Sequence, residues 1–594
     1  MPEQQNKAIP VESKRTRYER MRAQLELERN SFMPHWRDLS DWILPRRGRF
    51  LSSDVNRGER RNQRIIDSTA TTAVRNLKAG FMAGMTSPAR EWKQLTTPDP
   101  AMAKVSRNKE WLSLVNEIMS DYIRRCGFYK NVPIVYGDMA VFATAAMGMQ
   151  PDLSGRLMHL QPFAVGSYMV ATNDQGRPVV FMRVFQMTVR QIINKFGQRN
   201  AKGEMDWSNI SSVVKDYYER GNLEFWIEVC HVISPNEDHN PRYLFAKFKK
   251  FSSCYYETGS QRGSTSGNYM RDSNEEKFLR ESGYDYFPIL VPRWEITDGD
   301  SYGTDCPGMT CLGDAKGLQT GEKQIYRAGE KMINPPMVGP AELRTTKAST
   351  LPGDITYLTE RSAAQGFRTA HDTNFPTDQM EVKQQQTRAR IKRVFFEDIF
   401  LPIISDERRE RQTAAEVAAR KQDQLVLLGP TLENTNDDLL DPFVEAVFIE
   451  MVNQGRIPPP PPDLQGVNLG VQFISIMALA QKALGLGGME RFMSVAATIS
   501  SLTGDVSLIH DKVDTDKMME SAGDMTGIPY GIVRDEEETQ ARRAARLNAQ
   551  NQAAEAERAN QGAETVERLS KASTDEPSAL TELISAAKAG QAAP

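Results

Sequence analysis

Between about residues 156 and 296 the apolar side chains change their spacing, and that change restricts the fold more than any single motif. Before it they recur at helical intervals. Tyr18, Met21, Leu25, Phe32, Trp36 and Leu39 share one face over 13–45, and Ala70, Val74, Leu77, Phe81 and Met85 share another that begins at Asp67 or Ser68. Ser87-Pro88 stops the second helix, and a third is expected around 107–125, ended by Gly127. Within 156–296 the segments LMHLQPF, SYMVATNDQGRPVVFMRVF, EFWIEVCHVI, RYLFAKFKKF and YFPILVPRWEI read as strands. NDQGRP is a hairpin turn, TVRQIINKFG a short helix, and GSQRGSTSGNYMRDSNEE a polar loop.

Helical spacing returns at 310–330. Asn334 to His371 is punctuated by Pro and Gly around one strand, DITYLTE. A long helix then covers about 377–400 and aligns Ile391, Val394, Phe395 and Ile399. After the charged ISDERRERQT come the helices TAAEVAARKQDQLVLL and DDLLDPFVEAVFIEMVNQ, the latter closed by Gly455 and a proline run, and further helices are expected over 470–520. Past Asp535 the chain is rich in Ala, Glu, Arg and Gln, which suits a lone helix or disorder. The order helix, sheet, helix, small insert, helix predicts an α+β chain with an all-helical C-terminal third.

Composition narrows the function. With 594 residues, 40% hydrophobic and 25% charged, the chain can form about three or four domains. No apolar run approaches the ~18 residues of a membrane helix, and MPEQQNKAIPVESKRTRYER has no apolar core for a secretory signal. Five scattered cysteines without a CxxC pair read as free thiols of a reducing interior. Lys plus Arg number 74 against 77 Asp plus Glu, a net −3, whereas proteins that grip DNA are usually basic. Either nucleic acid is irrelevant, or it is touched without being held.

Catalytic patterns fail on inspection. GDAKGLQTGEKQ sets its glycines too close for a phosphate loop and has Gln324 where a hydroxyl is needed. GSTSG places Thr265 at the nucleophile position of a hydrolase elbow, in a loop without the strand and helix that motif requires. Asp372 with Glu381-Val382-Lys383 mimics a nuclease metal site, but Lys383 belongs to a long helix. The six histidines are dispersed. No catalytic residue, metal site or cofactor is assigned.

Several segments, taken in order, resemble the portal or head-to-tail connector proteins of short-tailed phages. They are ILPRRGRF with IIDSTATTAVRNLKAGFMAGMTSPAREWKQL, then VVFMRVFQMTVRQIINKFG, SYGTDCPGMTCLGDAKGLQ, TAAEVAARKQDQLVLLGP and FVEAVFIEMVNQGRIPPPP. The likeness spans roughly residues 15–535. One departure is Thr304-Asp305-Cys306-Pro307, where the family usually has Gly-Pro after Tyr-Gly.

The resemblance implies a phage portal fold: a mixed α/β wing, a paired-helix stem, a small β-containing clip and a helical C-terminal crown. Carried onto this chain, 1–300 is mainly wing, 301–333 the first stem helix, 334–371 the clip and 372–403 the second stem helix. Residues 404–413 are the tunnel loop, 414–460 wing-crossing helices, 461–534 the crown and 535–594 a polar tail. It further implies a ring, typically of twelve copies, at one capsid vertex of the virion, assembled in the host cytoplasm. Double-stranded DNA would pass through it without sequence recognition. The terminase large subunit and then tail adaptors would dock on the clip, and capsid and scaffolding proteins would surround the ring. The implied DNA-channel residues are Asp406, Glu407, Arg408, Arg409, Arg411 and Gln412. Stem-helix residues are Arg388, Arg390, Lys392 and Arg393, and clip residues Pro335, Pro336, Glu342, Arg344 and Lys347. Twelve copies at −3 give roughly −36, a mean field that repels DNA and lets it slide. The competing readings are a metal-dependent phage nuclease or hydrolase, and another neck or internal virion protein.

Overall fold

The structure is a computed structural model of the chain. It describes residues 13–51, 60–99, 105–200, 203–243, 245–258, 278–339, 376–404, 428–466, 470–473 and 536–570, with a few positions between these spans (58, 102, 368–369 and scattered residues from 492 to 521). The chain divides into two compact units, one of 1–96, 114–459 and 469–504, the other of 97–113, 460–468 and 505–594.

In chain order the first elements are α1 (Lys14–Trp42), α2 (Thr69–Gly84), β1 (Lys93–Thr96), α3 (Ser106–Arg125) and α4 (Phe128–Phe142). Then come β2 (Ala146–Asp152), β3 (Leu157–Phe163), β4 (Tyr168–Thr172), β5 (Pro178–Thr188), α5 (Val189–Phe196), β6 (Gln198–Arg199), β7 (Met205–Asp206), α6 (Ser212–Glu219), β8 (Trp226–Pro235), β9 (Phe251–Glu257), β10 (Arg280–Tyr284) and β11 (Ile289–Leu290). Helix α7 (Pro307–Ile333), β12 (Met337–Val338), β13 (Arg368–Thr369), α8 (Thr377–Val394), α9 (Glu397–Ile404), α10 (Gly429–Thr435), α11 (Asp441–Asn453), β14 (Gly470–Phe473) and α12 (Glu536–Ser570) follow.

The main sheet of the first unit is antiparallel in the order β10-β9-β8-β5-β4. Both of its faces are covered. Ile227 and Val229 of β8 join Ile192, Phe196 and Val214 of α5 and α6, while Cys230 and Val232 join Tyr18 and Leu25 of α1 on the other side. That double burial is why WIEVCHVI is apolar at consecutive positions instead of alternating with polar ones. The β4–β5 turn forms as its sequence predicts. Asn173 Oδ1 accepts the Gln175 and Arg177 N–H groups at 3.1 and 2.8 Å, and Gly176 takes the positive φ of +71°. Helix α5 opens on a capping box of Thr188 and Gln191.

The helical part of this unit gathers around Phe81 of α2, whose ring meets Tyr136 of α4, Trp294 and Phe400 of α9 at centroid distances of 5.4, 5.7 and 5.4 Å. From the basic loop after α1, Arg47 reaches the buried carboxylate of Asp138 in α4 with both Nε (2.8 Å to Oδ1) and Nη2. That cation therefore braces the wall of the core. All five cysteines are buried and unpaired. In the second unit, α12 is exposed along its visible side chains from 540 to 561.

Several expectations are corrected. Among its described residues RYLFAKFKKF is not a strand until Phe251. Asn236 Nδ2 donates to the Lys247 and Lys249 carbonyls at 2.8 Å each and folds the segment into a turn, and Tyr243 meets Phe248 ring to ring. YFPILVPRWEI yields only β11, because Pro288 and Pro292 lack the N–H that a ladder needs on either side of it. Residues 470–473 form a strand antiparallel to β1, where helix was expected. The helix expected over 377–400 breaks at Phe396, whose φ is +54°, into α8 and α9. The strand DITYLTE and, up to its last residue Leu428, the helix TAAEVAARKQDQLVLL lie outside the described residues.

Candidate functional site: a two-helix hairpin

Helix α7 starts cleanly at Pro307, whose missing N–H suits a first helical position. The departure Thr304-Asp305-Cys306-Pro307 supplies its own lead-in, since Asp305 Oδ1 accepts the Cys306 N–H at 2.7 Å and the Thr310 hydroxyl at 3.3 Å. With 27 residues, α7 is roughly 40 Å long. Helix α8 returns antiparallel beside it. Asp314 lies opposite Arg390, Gly321 opposite Gln384, and β12 pairs with β13 beyond the helix ends. The Gln384 side chain fills the space beside Gly321, where an added Cβ would lie 1.7 Å from its Nε2.

At its base the hairpin is tied to α2 by one polar node. Gln319 Oε1 accepts the Ile66 and Asp67 N–H groups at 2.6 and 2.8 Å, and its Nε2 donates to the Asp67 carbonyl at 2.8 Å. The Asp67 carboxylate accepts the Thr69 N–H at 2.7 Å and thereby satisfies the start of α2, a task Ser68 does not perform. Its second oxygen accepts Arg388 Nε at 2.8 Å, and Arg388 Nη2 donates to Glu322 at 2.6 Å. Burial works to raise the Asp67 pKa, but the Thr69 and Arg388 hydrogen bonds outweigh it and hold the group below its ordinary value. The Asp67 hydrogen bond, opposed by burial, and the charges of Asp67, Glu322 and Glu381 raise Arg388.

Of the other stem-helix residues, Arg390 pairs with Asp314 at 2.8 Å and Lys392 with Glu397 at 3.7 Å. Arg393 is exposed and has no ion-pair partner among the described residues. Pro335 is half-buried and Pro336 exposed, both just before β12. Glu342, Arg344 and Lys347, and all of Asp406, Glu407, Arg408, Arg409, Arg411 and Gln412, lie outside the described residues, as does Asp372. Glu381 and Lys383 stand exposed on α8. Among the described residues no three His, Cys, Asp or Glu side chains are grouped to hold a metal ion, and no helix is long and apolar enough to cross a membrane. Sequence reading missed the partners Asp67, Asp314, Gln319 and Glu322, which local spacing does not reveal.

Two long helices braced by carboxylate–guanidinium contacts thus stand within a chain of mixed helix and sheet. Residues 15–533 match the pattern of the bacteriophage head to tail connecting proteins, and the chain belongs to that family. It is similar to the portal protein of Salmonella phage epsilon15, at 38% identity over 98% of this chain and 100% of the relative. It is also similar to the probable portal protein of Bordetella phage BPP-1, at 35% over 95% and 96% respectively. A solved chain from the virion of a native gene transfer agent particle superposes at a TM-score of 0.30 with 9% identity, covering 75% of this chain and 92% of that one, too loose a match to bear on the fold.

Proposed function

We propose that this chain is the portal subunit of a short-tailed phage, a structural component of the virion placed at one capsid vertex, where copies close into a ring through which duplex DNA is packaged and ejected. The observation that carries the reading is similarity to two portal proteins along nearly the whole of both partners. The nuclease or hydrolase alternative is not favoured by those relatives.

In this reading α7 and α8 are the stem, 334–371 is the clip and 404–413 the tunnel loop. The fold before residue 300 serves mainly as wing, 414–460 as wing-crossing helices and 461–534 as crown. Pro335, Pro336, Glu342, Arg344 and Lys347 would receive the terminase large subunit during packaging and tail adaptors afterwards, and capsid and scaffolding proteins would meet the wing. Asp406, Glu407, Arg408, Arg409, Arg411 and Gln412 would meet DNA through brief phosphate contacts that carry no base information. Arg388, Arg390 and Lys392 serve instead to brace the stem, since carboxylates of this chain already engage them.

A net −3 per subunit supports passage over retention. Each neutralised phosphate would release counterions and tighten binding, so a strongly basic wall would act as a brake. Negative-stain microscopy of the purified full chain is expected to show rings with a central hole. A monodisperse 66.9 kDa monomer at high concentration would end the reading.

A further inference from the structure

One row of side chains crosses the main sheet on the face that α5 and α6 cover. In the strand registers Arg183 of β5 stands opposite His231 of β8, His231 opposite Tyr255 of β9, and Tyr255 opposite Arg280 of β10. Tyr255 belongs to the core that α5 and α6 form, which fixes the side on which the row lies. Neighbouring strands are about 4.8 Å apart, so the four positions span roughly 14 Å. Lys195, in the last turn of α5, brings a third cation to the row, its Nζ 4.8 Å from the centre of the Tyr255 ring. His231 stacks on that ring at 3.8 Å, and its Nε2 is hydrogen-bonded to Ser253 Oγ at 2.9 Å. Burial, with the charges of Arg183 and Lys195, holds the His231 pKa well below its ordinary value, so the imidazole is neutral.

The cations of this row lack the partner that an enclosed cation normally has. Arg183 is half-buried, and its guanidinium rests against the rings of Phe163 and Phe185 at 4.7 and 4.2 Å. Lys195 lies on Phe196 and Tyr255. Contacts of this kind hold a cation in place but give its N–H groups no acceptor. Among the described residues, Arg183, Lys195 and Arg280 make no ion pair and no side-chain hydrogen bond. Glu450, a carboxylate near Tyr284 in this part of the sheet, is already engaged, accepting the Tyr286 hydroxyl at 3.2 Å and Gln454 Nε2 at 3.4 Å. Burial accordingly lowers Arg183 to about 10, against the attraction of Tyr255, and Arg49 adds a further like charge. Arg47 and Arg293, likewise enclosed, each meet a carboxylate. A cation taken from water without an anion is costly, and an anion from outside would offset that cost.

We propose that Arg183, Lys195 and Arg280 form a binding site for a tetrahedral oxyanion of the phosphate class, free or carried on a larger molecule. Three positive charges without a carboxylate call for a multivalent anion, and a phosphate group carries nearly two charges at pH 7 with several acceptor oxygens. The fork of Arg183 suits two of those oxygens, and the ammonium of Lys195 suits another. Aromatic rings hold both cations in advance, so little side-chain freedom is lost when the anion arrives. All three cations belong to one subunit, and the inference therefore does not depend on ring assembly.

The test is calorimetric titration of inorganic phosphate into the full chain at pH 7 and constant ionic strength. The unmodified chain is expected to show one saturable site per subunit, with a Kd on the order of 1 mM or tighter. Arg183→Met and Lys195→Met should each weaken binding by about tenfold or more. Arg190→Met, on the same helix as Lys195 but already paired with Glu224 at 2.8 Å, should leave it unchanged. Lys195→Met is the decisive variant, because Lys195 is exposed and its loss leaves the core in place. Phosphate should also raise the urea midpoint of the unmodified chain more than that of Lys195→Met, since the general effect of the salt is common to both. A short DNA duplex that displaces phosphate would identify the oxyanion as a nucleic-acid phosphate, and phosphate retained in its presence would identify a free ion. No saturable uptake, or uptake that survives both substitutions in the row, would overturn the inference. So would an equal loss in Arg190→Met, which would mark a diffuse response to net charge.

Discussion

Gly80 and Phe400 meet where no side chain larger than hydrogen fits, for a Cβ on Gly80 would lie 2.2 Å from both Cγ and Cδ1 of the Phe400 ring. Helix α9 therefore lies directly on α2, and its position sets where the chain leaves towards 404–413. Replacing Gly by Ala in a helix gains about 1 kcal/mol of propensity. Overpacking a closed core costs about 1–3 kcal/mol, more where the clash is with a ring carbon near the backbone. Gly80→Ala is accordingly expected to destabilise the chain, read as a lower urea midpoint. Phe400→Leu should relieve part of that loss, so a double-mutant cycle should return a coupling on the order of 1 kcal/mol. Additive changes would show that the two helices do not touch here.

Arg388 and Arg390 sit two residues apart on α8 and should behave differently. Arg388→Met strands Asp67 and Glu322, whose side chains are only 11% and 13% exposed, and is expected to cost about 2 kcal/mol. Arg390→Met removes a largely exposed pair and should cost roughly 0–1 kcal/mol. The pH dependence follows from Asp67, whose folded pKa is below its ordinary value. The stability it contributes is present above that ordinary value and is lost as pH falls through the folded one. The deficit of Arg388→Met should therefore shrink in acid. Equal costs for the two variants, or a deficit that grows in acid, would refute the assignment of the node.

What was legible in the chain is what local spacing encodes. The helical stretch at 310–330 and the short helix TVRQIINKFG are both found, the first as part of α7 with Leu312, Ala315 and Leu318 buried, the second as α5 opening on Thr188 and Gln191. The partners of Arg388 were not legible, because Asp67 is 321 positions away and any of many carboxylates could have met it. RYLFAKFKKF misled for a different reason. Its alternation of apolar and basic residues suits a strand, yet Tyr243 and Phe245 remain exposed and the backbone is turned by Asn236. Periodicity reports which side chains could share a face and says nothing about which carbonyl a distant amide will bind. The break at Phe396 escapes notice likewise, since only its fold-imposed φ of +54° and the Trp294 ring stacked 6.2 Å away distinguish it from a helical residue.

Arg293 offers a sharper test of buried charge. Its guanidinium donates to Asp438 at 3.0 and 3.2 Å, to the Gly176 carbonyl at 2.8 Å and to the Asp300 carbonyl at 3.3 Å. The β4–β5 turn, the loop before α7 and the helical turn after α10 thus share one cation. Burial outweighs the Arg293 contact at Asp438 and raises that carboxyl. Removing the arginine leaves the carboxylate uncompensated, so Arg293→Met is expected to cost about 3–5 kcal/mol. Replacing Arg293 and Asp438 together by apolar residues should recover much of that loss. A mild effect of the single change in thermal unfolding would mean that water reaches Asp438.

Lys93 makes the last case, because its sign is opposite to that of an exposed lysine. The residue is 2% exposed on β1, and its ammonium donates to Asn116 Oδ1 at 2.9 Å and to Ser120 Oγ at 3.2 Å. Burial lowers its pKa to about 8 from 10.5, outweighing the attraction of Glu91. Between those two values the unfolded chain keeps a proton that the folded chain has released, so stability must rise with pH across that window. The full rise is on the order of 3 kcal/mol at 1.36 kcal/mol per pH unit, and below about pH 8 the penalty is fully present. Lys93→Met has no proton to release and should show no such rise. Urea unfolding of both chains at pH 7 and pH 10 measures the difference. A gap between them that stays constant or moves the other way would mean that Lys93 is hydrated, and that the β1–β14 edge above it opens to solvent.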